Sequence, residues 1–232
     1  MNVLDTVTKF VNGDDTILHV FPTTMFTSKY PDSYDEEFEY IEKLPFRQEG
    51  SYNGNCKTED SYILEHKELS KIKNWIKEKI KKYAKDVISA EPELIITNSW
   101  INRNDPGTGH PTHHHQNSII SGIFYLNVTS SMPPTQFYNR YIPMIQLQRS
   151  EHNSMNAEYV SAPMVNGDLI LFPSDIMHSV NINQQNDFRY TLSFNTFAKE
   201  LGNDRQLSYV NWEKHVNERR NKINKQKVRA GT

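Results

Sequence analysis

Four of the nine histidines in this chain of 232 residues fall within six positions, at His110 and His113–His115. Imidazole is the commonest side-chain metal ligand, and its neutral form is available near pH 7. If residues 112–117 are extended, His113 and His115 point to one face of the strand and His114 to the other. Two imidazoles on one face make half of a metal site, so a further ligand is expected on a distant strand.

The segment 167–178 is the candidate for the other half of that site. An Asn166-Gly167 turn precedes an apolar run, Pro173 ends the run, and His178 follows. This order is typical of a buried strand that delivers one histidine at its end.

Residues 189–195 begin eleven positions after His178 and alternate between apolar and polar side chains. The apolar face holds Tyr190, Leu192 and Phe194, and the polar face holds Arg189, Thr191, Ser193 and Asn195. A strand with one dry face and one polar face that carries an arginine suits a barrel whose lumen binds an anion.

The rest of the chain predicts a mainly β protein with flanking helices. Helical spacing of apolar residues marks 68–87, a weaker acidic helix is expected over 30–44, and 47–60 is expected to be a polar loop. Strand-like segments are found at 17–26, 94–102, 119–127, 135–148, 158–165, 168–172 and 189–197. Short strands at this frequency favour a jelly roll (double-stranded β-helix) with the N-terminal helices packed outside one sheet.

The length fits one domain over residues 1–202, with a helical and mixed part at 1–92 and a β core at 93–200. Residues 203–232 form a polar, basic extension. Its segment 212–227 is interpreted as a frayed terminal helix, with a phosphate- or partner-binding role as the alternative. The lysines of 68–87 are interpreted as a solvated helix face, with an acidic partner as the alternative.

Composition limits the partners and the compartment. A net charge of -2 gives no reason to expect nucleic acid, and the single cysteine, Cys56, fits a reducing compartment. No apolar run reaches membrane-spanning length, and the N-terminus lacks the basic start of a signal peptide. A soluble cytoplasmic protein is therefore expected, and the face from Leu69 to Val87 could contribute to a homodimer.

Three motifs together resemble the iron(II)/2-oxoglutarate-dependent oxygenases. They are His-x-His at 113–115, Gly-Asp-Leu-x-x-Phe-Pro-x-x-x-x-His at 167–178 and Arg-x-x-x-Ser-Phe-Asn at 189–195. The chain is similar in particular to the uncharacterised "putative 2-oxoglutarate-Fe(II) oxygenase" family of bacteria and phages, so a phage origin would place it in the host cytoplasm. The likeness spans roughly residues 17–198 and is strongest over 99–126 and 166–197.

The resemblance implies a jelly roll that uses Fe(II), dioxygen and 2-oxoglutarate, and that couples decarboxylation of 2-oxoglutarate to C–H hydroxylation. It implies His113, His115 and His178 as metal ligands and catalytic residues. Arg189 would bind the distal carboxylate of 2-oxoglutarate. Further candidates for binding the co-substrate are Ser193, Asn195, Tyr125, Asn117 and Asn102.

The chain departs from the commonest pattern of these oxygenases, because His115 stands where His-x-Asp is usual. No Asp or Glu occurs between Asp105 and Glu151. A site of three histidines suits Fe(II), and it also suits zinc or nickel.

Two other functions stay open. A cupin-type metalloenzyme shares the jelly roll and the His-x-His, although the glutamate expected after that motif is missing. A jelly-roll binding or structural protein without catalysis is the other alternative. The oxidised substrate, a small molecule or a protein, is not specified, and the segment between Asn127 and Val160 is expected to shape its recognition.

Overall fold

The computed structural model describes residues 8–12, 15–19, 22–49, 54–90, 93–141, 145, 147–153, 155–203, 207–211 and 218. Within them lie fifteen strands and two α-helices. The helices are α1 (Asp35–Glu42) and α2 (Ser70–Tyr83). The strands are β1 (Thr8–Asn12), β2 (Asp15–His19), β3 (Phe26–Lys29), β4 (Phe46–Gln48), β5 (Cys56–Thr58), β6 (Leu94–Asn104), β7 (His110–His113), β8 (Ile120–Asn127), β9 (Thr135–Tyr138), β10 (Tyr159–Ala162), β11 (Asp168–Pro173), β12 (His178–Val180), β13 (Arg189–Ala198), β14 (Glu200–Asn203) and β15 (Leu207–Asn211).

Two antiparallel sheets form the body of the fold. The larger has the order β3-β11-β8-β13-β6-β5-β4, and the smaller has the order β10-β9-β12-β7. Strands β1 and β2 pair with each other, as do β14 and β15. Strands distant in sequence are neighbours within both sheets, which is the jelly-roll architecture that the sequence predicts.

The larger sheet carries apolar clusters on both faces, and the cluster on the outer face is the larger. On its outer face, alternate residues of β8, β11 and β13 pack with Ile72, Ile76 and Ile80 of α2 in the larger hydrophobic cluster. On its inner face, Ile123, Tyr125, Ile170 and Phe172 pack with Phe137 of β9 in a second, smaller cluster. The period of two along each strand assigns successive side chains to opposite faces.

Strand β13 lies between β8 and β6 at the centre of the larger sheet. Its apolar residues Tyr190, Leu192 and Phe194 lie in the outer cluster, as the alternation predicts. Of its polar residues, Arg189, Thr191 and Ser193 are buried, with Arg189 only 1% exposed, so they face the space between the two sheets. Asn195, at the far end of this face, is half-buried.

Several sequence-based boundaries were wrong. The strand expected over 17–26 is divided, since β2 ends at His19 and β3 begins at Phe26. The strand expected over 135–148 ends at Tyr138. The loop expected over 47–60 contains β5, which adds to the edge of β6. Whether a segment forms a strand, and where the strand ends, depends on pairing with a neighbouring strand. Local composition does not reveal this pairing.

The extended segment expected over 112–117 is also shorter than predicted. Strand β7 ends at His113, and Asn117 has a φ of 55°, in the left-handed region that asparagine tolerates. A hairpin, β14–β15, begins at Glu200 and leads into the polar tail, and most of the helix expected over 212–227 lies outside the described residues. No helix in the described part of the chain is long and apolar enough to cross a membrane.

Gly122 of β8 lies directly opposite Phe194 of β13, and a Cβ at this position would lie 2.1 Å from the tip of the Phe194 ring. Phe194 is fully buried and cannot swing into solvent. We expect Gly122→Ala to lower the free energy of unfolding by about 1–3 kcal/mol, because it overpacks the core. Urea denaturation measures the change.

A double-mutant cycle with Phe194→Leu gives the control for this prediction. The smaller side chain makes room for the new methyl group, so Gly122→Ala should cost less in the Phe194→Leu background than in the wild type. Strictly additive costs would contradict the proposed contact.

Candidate active site

Three histidines from two distant segments of the chain converge between the sheets. His113 ends β7 and pairs with His178 at the start of β12. His115 follows β7, and its backbone N–H donates to the Ser174 carbonyl at 2.9 Å. The Nε2 atoms of His113 and His115 are 3.3 Å apart, and one nitrogen from each of the three rings lies within 4.8 Å of the others. Two nitrogens bound at right angles about 2.1 Å from one ion would be about 3 Å apart, so the cluster fits a metal ion.

The opposite nitrogen of each ring faces an oxygen acceptor. His113 Nδ1 is 2.9 Å from the Pro111 carbonyl, and His178 Nδ1 is 3.0 Å from the Ile176 carbonyl. His115 Nδ1 faces Asn195 Oδ1 in a short hydrogen bond. An Nδ1–H that donates to oxygen leaves the lone pair on Nε2, so these contacts select the tautomer that binds metal through Nε2.

The hydroxyl groups of three serines form a hydrogen-bonded network next to the His115–Asn195 contact. Ser121 Oγ donates to Asn195 Oδ1 at 2.8 Å and lies 3.1 Å from His115 Nδ1. Ser121 Oγ is also 2.8 Å from Ser174 Oγ, which donates to Ser118 Oγ at 2.7 Å. This network fixes the Asn195 amide with its oxygen toward the imidazole.

Burial keeps the imidazoles neutral. It lowers the pKa of His115 to about 4, against the opposing effect of the Asn195 hydrogen bond, and it lowers the pKa of His178 to about 3. Burial also lowers the pKa of His113. All three rings are therefore in the form that binds a cation at neutral pH. Among the described residues this candidate ligand set contains no carboxylate, and it is compatible with Fe(II), nickel and zinc.

The same cavity contains a buried cation without a carboxylate partner in the described residues. Arg189 is 1% exposed, with Nη2 3.3 Å from Thr135 Oγ1 and Nη1 3.5 Å from Asn104 Oδ1. Its Nε has no hydrogen-bond partner among the described residues, and neither does Asn104 Nδ2. A buried guanidinium is costly unless an anion compensates it, so this end of the cavity fits an anionic ligand.

The cavity joins the histidine cluster to Arg189. It is lined by Trp100, Asn102, Asn104, His110, His113, His115, Ile123, Thr135, His178, Ser179, Val180, Arg189, Thr191 and Ser193. No acidic side chain belongs to this lining. The cavity therefore suits a metal ion at one end and an organic anion at the other.

The structure brings most of the predicted site residues to the cavity. Asn102 and Ser193 line it and are hydrogen-bonded to each other at 2.9 Å, and Asn195 contacts His115 from behind. Tyr125 does not line the cavity, but its ring lies 5.6 Å from the Arg189 guanidinium. Asn117 is exposed in the turn after His115 and lies outside the cavity lining.

His110 is the fourth histidine of the cavity and was missed by sequence reasoning. Residues three apart on a regular strand face opposite sides, which excludes His110 from the face of His113. A bulge between the His178–His113 and Val180–His110 pairs removes this restriction, and the two rings stack with centroids 4.1 Å apart. Burial and the neighbouring histidines lower the pKa of His110 to about 2.

Asn104 and Thr135 were also missed. Asn104 lies on the same strand face as Asn102, two residues further along β6, so the alternation could have indicated it. Thr135 lies on β9 of the opposite sheet and reaches Arg189 only through the stacking of the two sheets. No local sequence pattern predicts the contact between Thr135 and Arg189.

Asn195 gives the sharpest test of the histidine cluster. We expect Asn195→Leu to weaken binding of Zn(II) or Fe(II) by about 10–100-fold, because His115 loses the acceptor that fixes its tautomer. Asn195→Asp keeps an oxygen at this position and should bind at least as tightly as the wild type. Competition with a chromophoric chelator measures both affinities. Wild-type affinity in the folded leucine variant would contradict the assignment.

Comparisons with known proteins agree with this geometry. Residues 98–195 match the model of the family described as "Putative 2OG-Fe(II) oxygenase". No curated protein matches the chain. The fold is similar to that of a 2OG-Fe(II) oxygenase family oxidoreductase from Burkholderia pseudomallei, with a TM-score of 0.56, 12% identity, and coverage of 78% of this chain and 88% of that one.

Two further structures share the fold. HygX from Streptomyces hygroscopicus, solved with nickel, 2-oxoglutarate and hygromycin B, has a TM-score of 0.56 and 12% identity over 82% of this chain and 92% of its own. SnoN, an alpha-ketoglutarate-dependent epimerase of nogalamycin biosynthesis, has a TM-score of 0.58 and 12% identity over 77% and 79%. The segment that carries the cavity thus matches the 2OG-Fe(II) oxygenase family in sequence, and the fold around it is that of the 2OG-Fe(II) oxygenases.

Proposed function

We propose that the protein is an Fe(II)- and 2-oxoglutarate-dependent dioxygenase that hydroxylates a C–H bond of a small-molecule or protein substrate. One observation carries the proposal. A fully buried arginine, Arg189, has no carboxylate partner among the described residues and shares one cavity with three imidazoles, each with one ring nitrogen within 4.8 Å of the others. A metal ion and a dicarboxylate would satisfy both groups.

The histidines hold the metal in this proposal. His113, His115 and His178 would bind Fe(II) through Nε2, since each Nδ1 faces an oxygen. Fe(II) with 2-oxoglutarate and dioxygen supplies the oxidising power that no side chain has. The protein orients the reactants, and the rings of Phe137 and Phe172 pack beside His178 with centroids 5.9 and 5.0 Å away. These rings exclude water from that side of the cluster.

Arg189 and its neighbours would bind the distal carboxylate of 2-oxoglutarate. Arg189 pairs with Asn104 across β13 and β6, so the free Nε and the free Nδ2 can donate to one anion. Thr135, which contacts Arg189, lies opposite Val180, two residues along β12 from His178. Two strand residues span about 7 Å, which is a suitable length for a five-carbon diacid between the metal and Arg189.

The buried arginine also favours the oxygenase over the two alternative functions, a cupin-type enzyme and a module without catalysis. A cupin-type enzyme that uses only the metal has no need for a buried arginine that lacks a carboxylate partner, and neither has a module without catalysis. Within the oxygenase proposal, hydroxylation competes with other outcomes of C–H oxidation, because SnoN, which shares the fold, is an epimerase. Analysis of the product, once the substrate is known, separates these outcomes.

Anaerobic titration of the Fe(II) protein with 2-oxoglutarate tests the proposal. We expect a weak visible charge-transfer band that requires both additions. In Arg189→Met the dissociation constant for 2-oxoglutarate should rise more than about tenfold, because a charge-assisted pair worth roughly 1.5–3 kcal/mol is lost. Circular dichroism checks that the variant is folded.

2-Oxobutyrate is the matched control ligand, because it keeps the keto acid and lacks the distal carboxylate. The wild type should prefer 2-oxoglutarate, and Arg189→Met should lose that preference while it binds 2-oxobutyrate as before. The absence of any band in a wild-type protein that holds stoichiometric iron would refute the use of 2-oxoglutarate.

A further inference from the structure

Lys57 is a cationic residue near the cavity that has no role in the proposed function. It lies in β5, directly opposite Asn102 of β6. Paired residues of antiparallel strands point to the same face of the sheet, and Asn102 lines the cavity. Lys57 therefore extends over the inner face of the larger sheet, at the strand edge that borders the cavity.

The ammonium lies at the histidine end of the cavity. Lys57 Nζ is 4.5 Å from the centre of the Trp100 ring, and the Trp100 ring is 5.6 Å from that of His115. Trp100 lines the cavity, whereas Asn104 at the Arg189 end is four residues further along β6. Lys57 is thus separated from the proposed site of the distal carboxylate and lies on the side of the metal ligands.

Lys57 has no anionic partner among the described residues. It makes no salt bridge or hydrogen bond there, and its contact is the face of Trp100. The nearby acid, Glu49, is paired with Arg47 at 3.2 Å. Lys57 is half-buried, and burial lowers its pKa. A cation–π contact of this kind is worth about 0.5–2 kcal/mol and only partly replaces lost hydration.

The charge and shape of this site define a class of ligand. The lining of the cavity contains no carboxylate that would repel an anion. A lysine ammonium is a compact point charge that binds a single carboxylate or phosphate oxygen, and the adjacent indole offers an apolar surface to the carbon next to that group. A neutral or cationic molecule has no favourable charge–charge interaction with the Lys57 ammonium.

We propose that Lys57 and Trp100 bind an oxyanion of the oxidised substrate, so that this substrate is a carboxylate or a phosphate ester. The inference rests on the proposed function, since it requires the histidine cluster to be the reaction centre. It assigns Lys57 as a specificity-determining residue, separate from the co-substrate cation Arg189.

Matched probes test the inference in the protein loaded with Ni(II) and 2-oxoglutarate. The probes are benzoate, phenyl phosphate and the neutral benzamide, and ligand-observed NMR measures their dissociation constants. We expect at least one anion to bind more tightly than benzamide, and the preferred anion distinguishes a carboxylate from a phosphate substrate. In Lys57→Met that anion should bind about tenfold more weakly, with benzamide unchanged.

Two variants complete the experiment. Lys57→Arg keeps the charge and should retain most of the anion binding. Lys67→Met removes a lysine whose side chain is 92% exposed, and it should bind like the wild type. Equal binding of anions and benzamide, no binding of any probe at millimolar concentration, or wild-type anion affinity in Lys57→Met would overturn the inference. In that case the role of Lys57 would be limited to packing on the Trp100 ring.

Failure of this inference can be told apart from failure of the proposed function. Lys57→Met should retain the charge-transfer band with Fe(II) and 2-oxoglutarate, because Lys57 contacts neither the histidine nitrogens nor Arg189. Loss of anion selectivity with an intact band supports the inference. A wild-type protein without the band refutes the proposed function itself, whatever the probes show.

Discussion

The fold depends on burial of both faces of β13 at the centre of the larger sheet. Its outer face packs Tyr190, Leu192 and Phe194 into the main hydrophobic cluster. That packing forces the polar residues of the strand into the space between the sheets, where Arg189 is fully enclosed. The apolar face thus supplies the free energy that holds a costly polar face inside the protein. The cavity between the sheets results from this separation of apolar and polar side chains onto the two faces of β13.

In the described part of the chain, polar groups between the sheets mostly satisfy one another, and the exceptions lie at the Arg189 end of the cavity. Asn102, Ser193, Asn195 and Ser121 form hydrogen bonds that position the lining and His115. Arg189 Nε and Asn104 Nδ2 lack partners among the described residues. Because buried polar groups in proteins are nearly always paired, these two unpaired donors indicate a ligand more directly than any other feature of the cavity.

The sequence predicted the parts of the site that follow from strand alternation and from the motifs. His113, His178 and the polar face of β13 are where the period of two and the turn signals place them. The position of His110 could not be predicted, because it depends on a bulge between β7 and β12. Thr135 lines the cavity through the stacking of the two sheets, and Lys57 lies beside Trp100 through the pairing of β5 with β6. Such long-range contacts have no local signature in the sequence. Asn117 was also a candidate for binding the co-substrate, but it has a left-handed backbone conformation in a turn and is exposed.

In the proposed site, three neutral imidazoles without a carboxylate hold the metal. The most direct test compares anaerobic Fe(II) dissociation constants of the wild type and His115→Leu. We expect one Fe(II) per wild-type chain, and a loss of affinity in His115→Leu that exceeds the roughly 10–100-fold that removal of an outer-shell partner costs. His115→Asp, which creates the commoner ligand set, should retain iron. Unchanged affinity in a folded His115→Leu protein would contradict the three-histidine site.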